Sequence, residues 1–540
     1  MNADFGAHAT REKAGQPALR NNLIAQKVRN WRGVWCLTLV GLIATILCLP
    51  FIRFVHCLCS DEGVFLRGAE LMLTGSKLYV DFFEFLPPGS FVITAAWFGI
   101  AGISMLSARS LAILAFVGIA CFTYLACRQA SKHATSSALL ALGWLIMTLG
   151  PWTQVSHHWF TTLFSMVVAW TTLASIEHSQ RWLRGPLIAG VAAGAAVIVT
   201  PTQGVLVMLA ALTAFGNLRR YRAEFVTYVL GSALIPTCLL AYVIGYGGLT
   251  EAFEDVILFP ATRYARHNWV PYAFEAGWQN LPLKYLFPVA ALLTLLICVR
   301  NWPTCLHDRL LRSCAAFGLA GMVAFLPRPG IYQIAFVAPL ALPLLAYGAS
   351  RVIGPWLPKS RYAAAAIVIA LCIPLTLSFL VKSQRALSGE VVAMPRGSVT
   401  IPYAEHGSRE LAAWIAATPI KDAYFFYPQI SLVPFLTAHQ HVSRYDLFSP
   451  GYTLPSQYQE ACVSAMQRAS WVVIDRNWTN LDLLRATFPA MPYTMPLVTN
   501  RFEQALEKGF EFVARKGSFE IRRRVKSIDE NICAGIAAAG

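Results

Sequence analysis

Long apolar runs separated by short polar loops fill the first 381 residues, near 34–52, 109–127, 136–150, 158–176, 186–200, 203–217, 225–246, 282–299, 311–326, 331–349 and 362–381. Each is long enough, or nearly so, to cross a bilayer as a helix, because roughly 20 residues cover the hydrocarbon core, and together they make about eleven candidate spans. Gly89 to Ser104, GSFVITAAWFGIAGIS, is shorter and follows two prolines. Its length and start predict an interfacial or re-entrant helix.

The placement of basic residues supports that reading. If residues 89–104 do not cross, the loops holding Arg128 and Lys132, Arg181 and Arg184, Arg219, Arg220 and Arg222, Arg300, Arg309 and Arg312, and Arg351, Lys359 and Arg361 all fall on the cytoplasmic side, as the positive-inside rule requires. If they cross, the bias runs backwards. The same threading places the 53–108 loop, His157–His158, the 247–281 loop, the Arg328 turn and everything after 381 on the external face. Residues 1–33 carry Arg11, Lys13, Arg20, Lys27, Arg29 and Arg32 with no small-residue cleavage pattern after them, so they read as a cytoplasmic tail before an uncleaved anchor.

Past Val381 the pattern changes to short β-rich runs between helix-like segments: SRELAAWIAA, DAYFFYP, HVSRYDLF, SQYQEACVSAMQRA, WVVIDRNW and EFVARKGSFEIRR. This alternation predicts an α/β domain over 382–540 with a partly parallel sheet. Trp471–Asp475 reads as a central strand, with Asp475 either facing a crevice at its carboxyl end or capping the next turn. The expected fold is therefore a polytopic α-helical membrane domain, 34–381, followed by an extracytoplasmic α/β domain.

Composition agrees with a membrane protein: 56% of the 540 residues are hydrophobic and 13% charged, with a mean hydropathy of +0.51. The formal charge of +16 follows from topology, because the basic residues sit in short loops between apolar spans; no nucleic-acid surface is indicated. Most of the thirteen cysteines lie inside apolar segments, where a thiol behaves as a small hydrophobe. Cys57 and Cys59 are too close in sequence for an easy bridge, and Cys462 with Cys533 is the long-range candidate.

The most informative stretch is Ser60–Gly89, SDEGVFLRGAELMLTGSKLYVDFFEFLPPG, which sets Asp61, Glu62, Asp81 and Glu84 beside a membrane face. An Asp-Glu pair directly after the first span, a short helix, then Gly-x-x-Leu-Tyr-x-Asp and Pro-Pro resembles the GT-C glycosyltransferases, and among them the protein mannosyltransferase and lipid A aminoarabinose transferase group. The resemblance implies a polyprenyl-phosphate sugar donor, inversion at the anomeric centre, and a lipid, glycan or protein acceptor at the external face. It further implies a bacterial inner (plasma) membrane location and a catalytic acidic residue at Asp61, with Glu62 beside it. Where many relatives have Lys or His before Pro-Pro, this chain has Leu86, so a phosphate-binding cation must come from elsewhere.

Candidates for that cation are Arg263, Arg266 and Arg328, since a guanidinium matches phosphate in bidentate fashion; an interfacial belt or a snorkelling Arg is the alternative. A single carboxylate suffices as base, because a departing phosphate needs no proton. Asp61 is expected in that role, or as the N-cap of the helix starting near Gly63, a position that Ser60 also suits. Arg67 and Glu70, three apart on that helix, are placed to pair with each other or to meet substrate. Tyr79, Asp81, Glu84, His157, His158, His267 and Gln333 are the remaining candidates for the cavity wall. The adjacent histidines read as wall rather than metal ligands, and a divalent metal stays open. Gly190 and Gly194 read as a close helix contact. A transporter or flippase of lipid-linked sugars is the rival reading, although the spans carry few charges at mid-membrane; an idle scaffold is a third.

Overall fold

In the computed structural model the described residues are 31, 33–150, 152–177, 183–216, 219–264, 268–300, 307–326, 328–353, 361–450, 452–490, 496–529 and 531–539. Each of the apolar runs is helical. Helix α1 is Gly33–Phe51, followed by α2 (Glu62–Leu73), α3 (Gly89–Ala101), α4 (Met105–Ser131), α5 (Ala134–Thr148), α6 (His157–Glu177), α7 (Arg184–Val199), α8 (Pro201–Leu212) and α9 (Arg222–Gly245). Further helices run over Leu281–Arg300, Arg309–Ala324, Ile331–Val337, Leu342–Gly348 and Arg361–Leu387. Among the described residues five helices are long and apolar enough to cross a membrane, six if the bent pair Ile331–Leu340 and Leu342–Arg351 forms one span. α3, α5, α7 and α8 are shorter apolar helices.

The spans differ in what surrounds them. α4 and α6 are packed inside the bundle, whereas α9 leaves Leu230, Leu234, Leu240 and Ile244 exposed. Apolar side chains exposed along such a helix face hydrocarbon, where the only backbone arrangement that satisfies itself is helical or a closed barrel. α7 and α9 approach closely because a Cβ on Gly190 would meet the Tyr228 carbonyl, and one on Gly194 the Ser232 carbonyl. Small residues let the two backbones touch.

After the long Arg361–Leu387 helix the chain forms a β-hairpin, β1 (Gly389–Val392) against β2 (Val399–Pro402), then a mixed sheet in the order β3-β4-β6-β5. β3 (Tyr424–Tyr427) and β4 (Trp471–Asp475) are parallel, while β6 (Phe519–Arg524) runs antiparallel to β4 and to β5 (Phe510–Lys516). Asp475 Oδ1 accepts the Asn477 amide at 3.1 Å and the Ser518 hydroxyl at 2.8 Å, so it closes the turn after its strand. Cys462 and Cys533 are bridged. Cys57 and Cys59 are bridged as well, against expectation: the turn at Leu58 brings their Cα atoms to 5.2 Å, within disulfide reach.

This carboxy-terminal region docks on the Ser60–Gly89 stretch. Arg67 Nη1 meets both oxygens of Asp446 at 2.7 and 2.8 Å, and its Nη2 donates to the His441 and Ser443 carbonyls. Glu70 pairs with Arg396, and Arg444 donates to the Tyr79 carbonyl at 2.7 Å. The expected Arg67–Glu70 pairing is therefore replaced: a buried helix face offers each of them an opposite charge from the docked region, and those contacts exclude more water than a pair on an open helix face.

Candidate active site at the acidic loop

The site is built from the start of α2. Ser60 Oγ accepts the Glu62 amide at 3.2 Å and donates to Gln154 Oε1 at 2.6 Å. Asp61 occupies the N-cap position but makes no side-chain cap bond. Ser60 takes the capping work, and the Asp61 carboxylate is left for other partners. Gln429 Nε2 donates to Asp61 Oδ1 at 2.9 Å. Asp61 remains accessible to solvent. The protein around it raises its carboxyl pKa, and the nearby Arg328 charge and the Gln429 hydrogen bond oppose that rise.

Glu62 is one residue further along and wholly different. It is fully buried, 2.9 Å from Arg109 Nη2 of α4, and its Oε1 accepts the Val155 amide at 2.9 Å. Arg109 also donates to the carbonyls of Phe54, at 2.8 Å, and Thr153. This buried pair ties the acidic loop to the 150–156 loop and to α4. Its place in the interior speaks for structure rather than for contact with substrate.

The return loop is held locally. Asp81 Oδ2 accepts the Lys77 amide at 2.6 Å. Tyr79, fully buried with a φ of 71°, donates its hydroxyl to the Leu86 carbonyl at 2.9 Å. Glu84 is buried and accepts the Phe85 and Leu86 amides at 3.0 and 3.3 Å. Burial pushes its pKa up to about 8; Asp446 and Asp61 push the same way, and the two amides oppose them.

The remaining candidates divide. Arg328, half-buried, donates to Asn268 Oδ1 at 3.1 Å and lies 4.8 Å over the Phe488 ring. Among the described predicted cations it is Arg328 whose charge acts on Asp61. Arg263 sits half-buried in the last π-helical turn of Pro260–Tyr264, while Arg266 and His267 lie outside the described residues. His157 and His158 have ring centroids 3.8 Å apart, with His158 stacked on Phe336 at 4.2 Å and His157 against Phe65 at 5.5 Å. Gln333 is half-buried in the first turn of the Ile331–Val337 helix, turned back over Gly330. Among the described residues no group of three or more His, Cys, Asp or Glu is placed to hold a metal ion.

Sequence reasoning missed Gln429, Asp446, Arg444 and Arg396. One signal was available for Gln429. Ligands gather beyond the carboxyl ends of parallel strands, and the rule that drew attention to Asp475 applies equally to β3, whose next residues are Pro428 and Gln429. It also missed a cavity of about 240 Å³ lined by Trp152 and Tyr332, whose rings meet at 5.0 Å, together with Lys382 and Arg385.

A bundle of apolar helices whose first loop carries an acidic helix start, roofed by a carboxy-terminal region with a mixed sheet, is a fold that the chain shares with solved membrane glycosyltransferase structures. The chain is an integral membrane protein with that fold. The solved structures it is similar to include ArnT from Cupriavidus metallidurans, both bound to undecaprenyl phosphate and in the apo state. These match at a TM-score of 0.53 with 16% and 15% identity, covering 92% and 91% of this chain and 98% of that one. The arabinofuranosyltransferase AftD from Mycobacteria matches at a TM-score of 0.50 and 14% identity, over 93% of this chain and 40% of AftD. No family model and no curated protein matches the sequence. At these identities the likeness is one of fold.

Proposed function

We propose that the chain is a glycosyltransferase that takes a sugar from a polyprenyl-phosphate donor and passes it, with inversion, to an acceptor at the extracytoplasmic membrane face. Asp61 is the base. As the acceptor oxygen bonds to the anomeric carbon, its proton passes to Asp61. The bond from that carbon to the phosphate oxygen breaks, with the electron pair leaving on the phosphate. Arg328, with Arg263 and Arg266 from the 247–281 segment of the sequence, neutralises the departing phosphate. Tyr79, Glu84, His157, His158 and Gln333 form the wall, and Glu62, Arg67 and Asp81 hold its frame. In this reading the apolar helices thread the bilayer about eleven times, α3 lies at the interface, and the α/β region after 381 is extracytoplasmic.

The observation that carries the reading is the contrast between two adjacent carboxylates, Asp61 accessible and bonded to Gln429, and Glu62 buried on Arg109. The undecaprenyl phosphate named with ArnT supports the donor class. The test compares surface glycolipids, glycans and glycoproteins of a deletion strain by mass spectrometry, complemented with wild type or Asp61→Asn at matched abundance. One species lacking a single sugar mass, restored by wild type alone, is the expected result. Full restoration by Asp61→Asn removes Asp61 as base and moves the transporter reading forward.

A further inference from the structure

We propose that Gln429, delivered by the turn after β3, is the residue that positions the Asp61 carboxylate for proton transfer. The inference rests on Asp61 being the base. The Gln429 amide holds Oδ1 at 2.9 Å, which fixes the carboxylate plane and leaves Oδ2 as the oxygen that meets the acceptor hydroxyl. A carboxylate on a solvent-accessible helix start otherwise samples several rotamers, and a base must sit within hydrogen-bond reach of the proton it takes.

The turn that carries Gln429 is itself fixed to the helix it serves. Ser431 Oγ donates to the Ser60 carbonyl at 2.7 Å, and the Leu432 amide donates to the Leu58 carbonyl at 3.3 Å. On the other side of Gln429, the Phe448 amide donates to the Pro428 carbonyl at 2.9 Å. Gly63 completes the fit, since a Cβ there would occupy the space of the Ser431–Leu432 peptide. The acid and its amide partner are thus clamped together from segments 368 residues apart.

Among the described residues, the charges that act on Asp61 include Arg328, from the turn before the Ile331–Val337 helix, and Glu84, from the return loop; Glu62 is turned away onto Arg109. A neutral amide suits a base in this setting. It stabilises the ionised form by one hydrogen bond, whereas a guanidinium in contact would depress the carboxylate further and weaken it as a proton acceptor.

The test reads Asp61 directly. The purified full-length protein in detergent is treated with dicyclohexylcarbodiimide, which attacks protonated carboxyls, and labelling of the Asp61 peptide is followed by mass spectrometry across pH. Gln429→Leu removes the donor and is expected to raise the labelling midpoint by about one pH unit, a tenfold rise in proton affinity. Gln429→Glu, nearly isosteric, sets a second carboxylate against Asp61 and is expected to raise it further. If Gln429→Leu fails to fold, Gln429→Glu carries the test alone. A midpoint unmoved in a folded variant overturns the inference, because loss of a real Gln429–Asp61 hydrogen bond must raise the proton affinity of the carboxylate. If Asp61→Asn abolishes transfer and the midpoint is unmoved, positioning by Gln429 fails while the base reading stands. If Asp61→Asn retains transfer, both fall, whatever the midpoint does.

Discussion

In the first turns of α2, from Ser60 to Glu70, polar side chains reach partners far along the chain: Gln429 for Asp61, Arg109 for Glu62, Asp446 for Arg67 and Arg396 for Glu70. In the return loop, from Leu78 to Gly89, they bond within a few residues, Asp81 to the Lys77 amide and Glu84 to the two amides that follow it. The difference separates two jobs inside one acidic stretch. The long-range half exists only when the carboxy-terminal region and α4 are in place, so its geometry reports the whole fold. The local half orders its side chains by short-range bonds, while Arg444 of the docked region holds its backbone at the Tyr79 carbonyl.

The comparison breaks most visibly at Asp61 and Glu62. Asp61→Asn is expected to lower transfer by roughly a thousandfold while leaving abundance and thermal stability near wild type, since removing a general base costs on the order of 10²–10⁴ in rate. Glu62→Gln should do the reverse. It strands the buried Arg109 charge and is expected to cost about 3–5 kcal/mol of stability, seen as a lower thermal midpoint in detergent and low abundance. A stable, inactive Glu62→Gln would return Glu62 to the chemistry.

Arg67→Ala tests the long-range half by its largest side chain. It leaves Asp446 and two carbonyls without their donor in a mostly buried interface, and a loss of about 3 kcal/mol is expected, together with faster proteolysis of the carboxy-terminal region. Unchanged protease resistance would mean that the docking does not depend on this pair.

The return loop should show itself through pH. Glu84 is held well above the ordinary carboxylate range, at about 8 in the folded protein. Between its unfolded value and pH 8 the native state therefore binds more protons, and stability falls as pH rises, by up to about 1.4 kcal/mol per unit for a fully shifted group. The thermal midpoint of wild type is expected to drop from pH 5 to 8 and then level off, and Glu84→Gln should flatten that slope. An identical slope in the variant would assign it to another group. Smallest of all, Asp81→Ala removes one exposed loop bond and should cost no more than ~1 kcal/mol, with transfer close to wild type.

Much of this was legible in the sequence where a single local rule suffices. Apolar run length predicts the helices, and Gly190 with Gly194 predicts a close helix contact, whose partner the structure identifies as α9. Four apolar residues before Asp475 mark a strand. Local rules failed where two segments compete for one side chain. Helical spacing pairs Arg67 with Glu70, but the docked region supplies each with a better-enclosed opposite charge. Sequence separation argues against a Cys57–Cys59 bridge, yet a turn closes it. N-cap preference fits Asp61 and Ser60 equally, and the structure gives the task to Ser60.

The sequence by itself determined that this is a helical membrane protein and that acidic residues cluster after the first span, because hydropathy and composition act residue by residue. Only the tertiary structure decided which of two neighbouring carboxylates stays available. Successive residues on a helix point about 100° apart, so one faces Arg109 in the interior and the other faces Gln429 and solvent. That choice depends on what packs on each side, and the Gln429 turn that packs beside Asp61 lies 368 residues away.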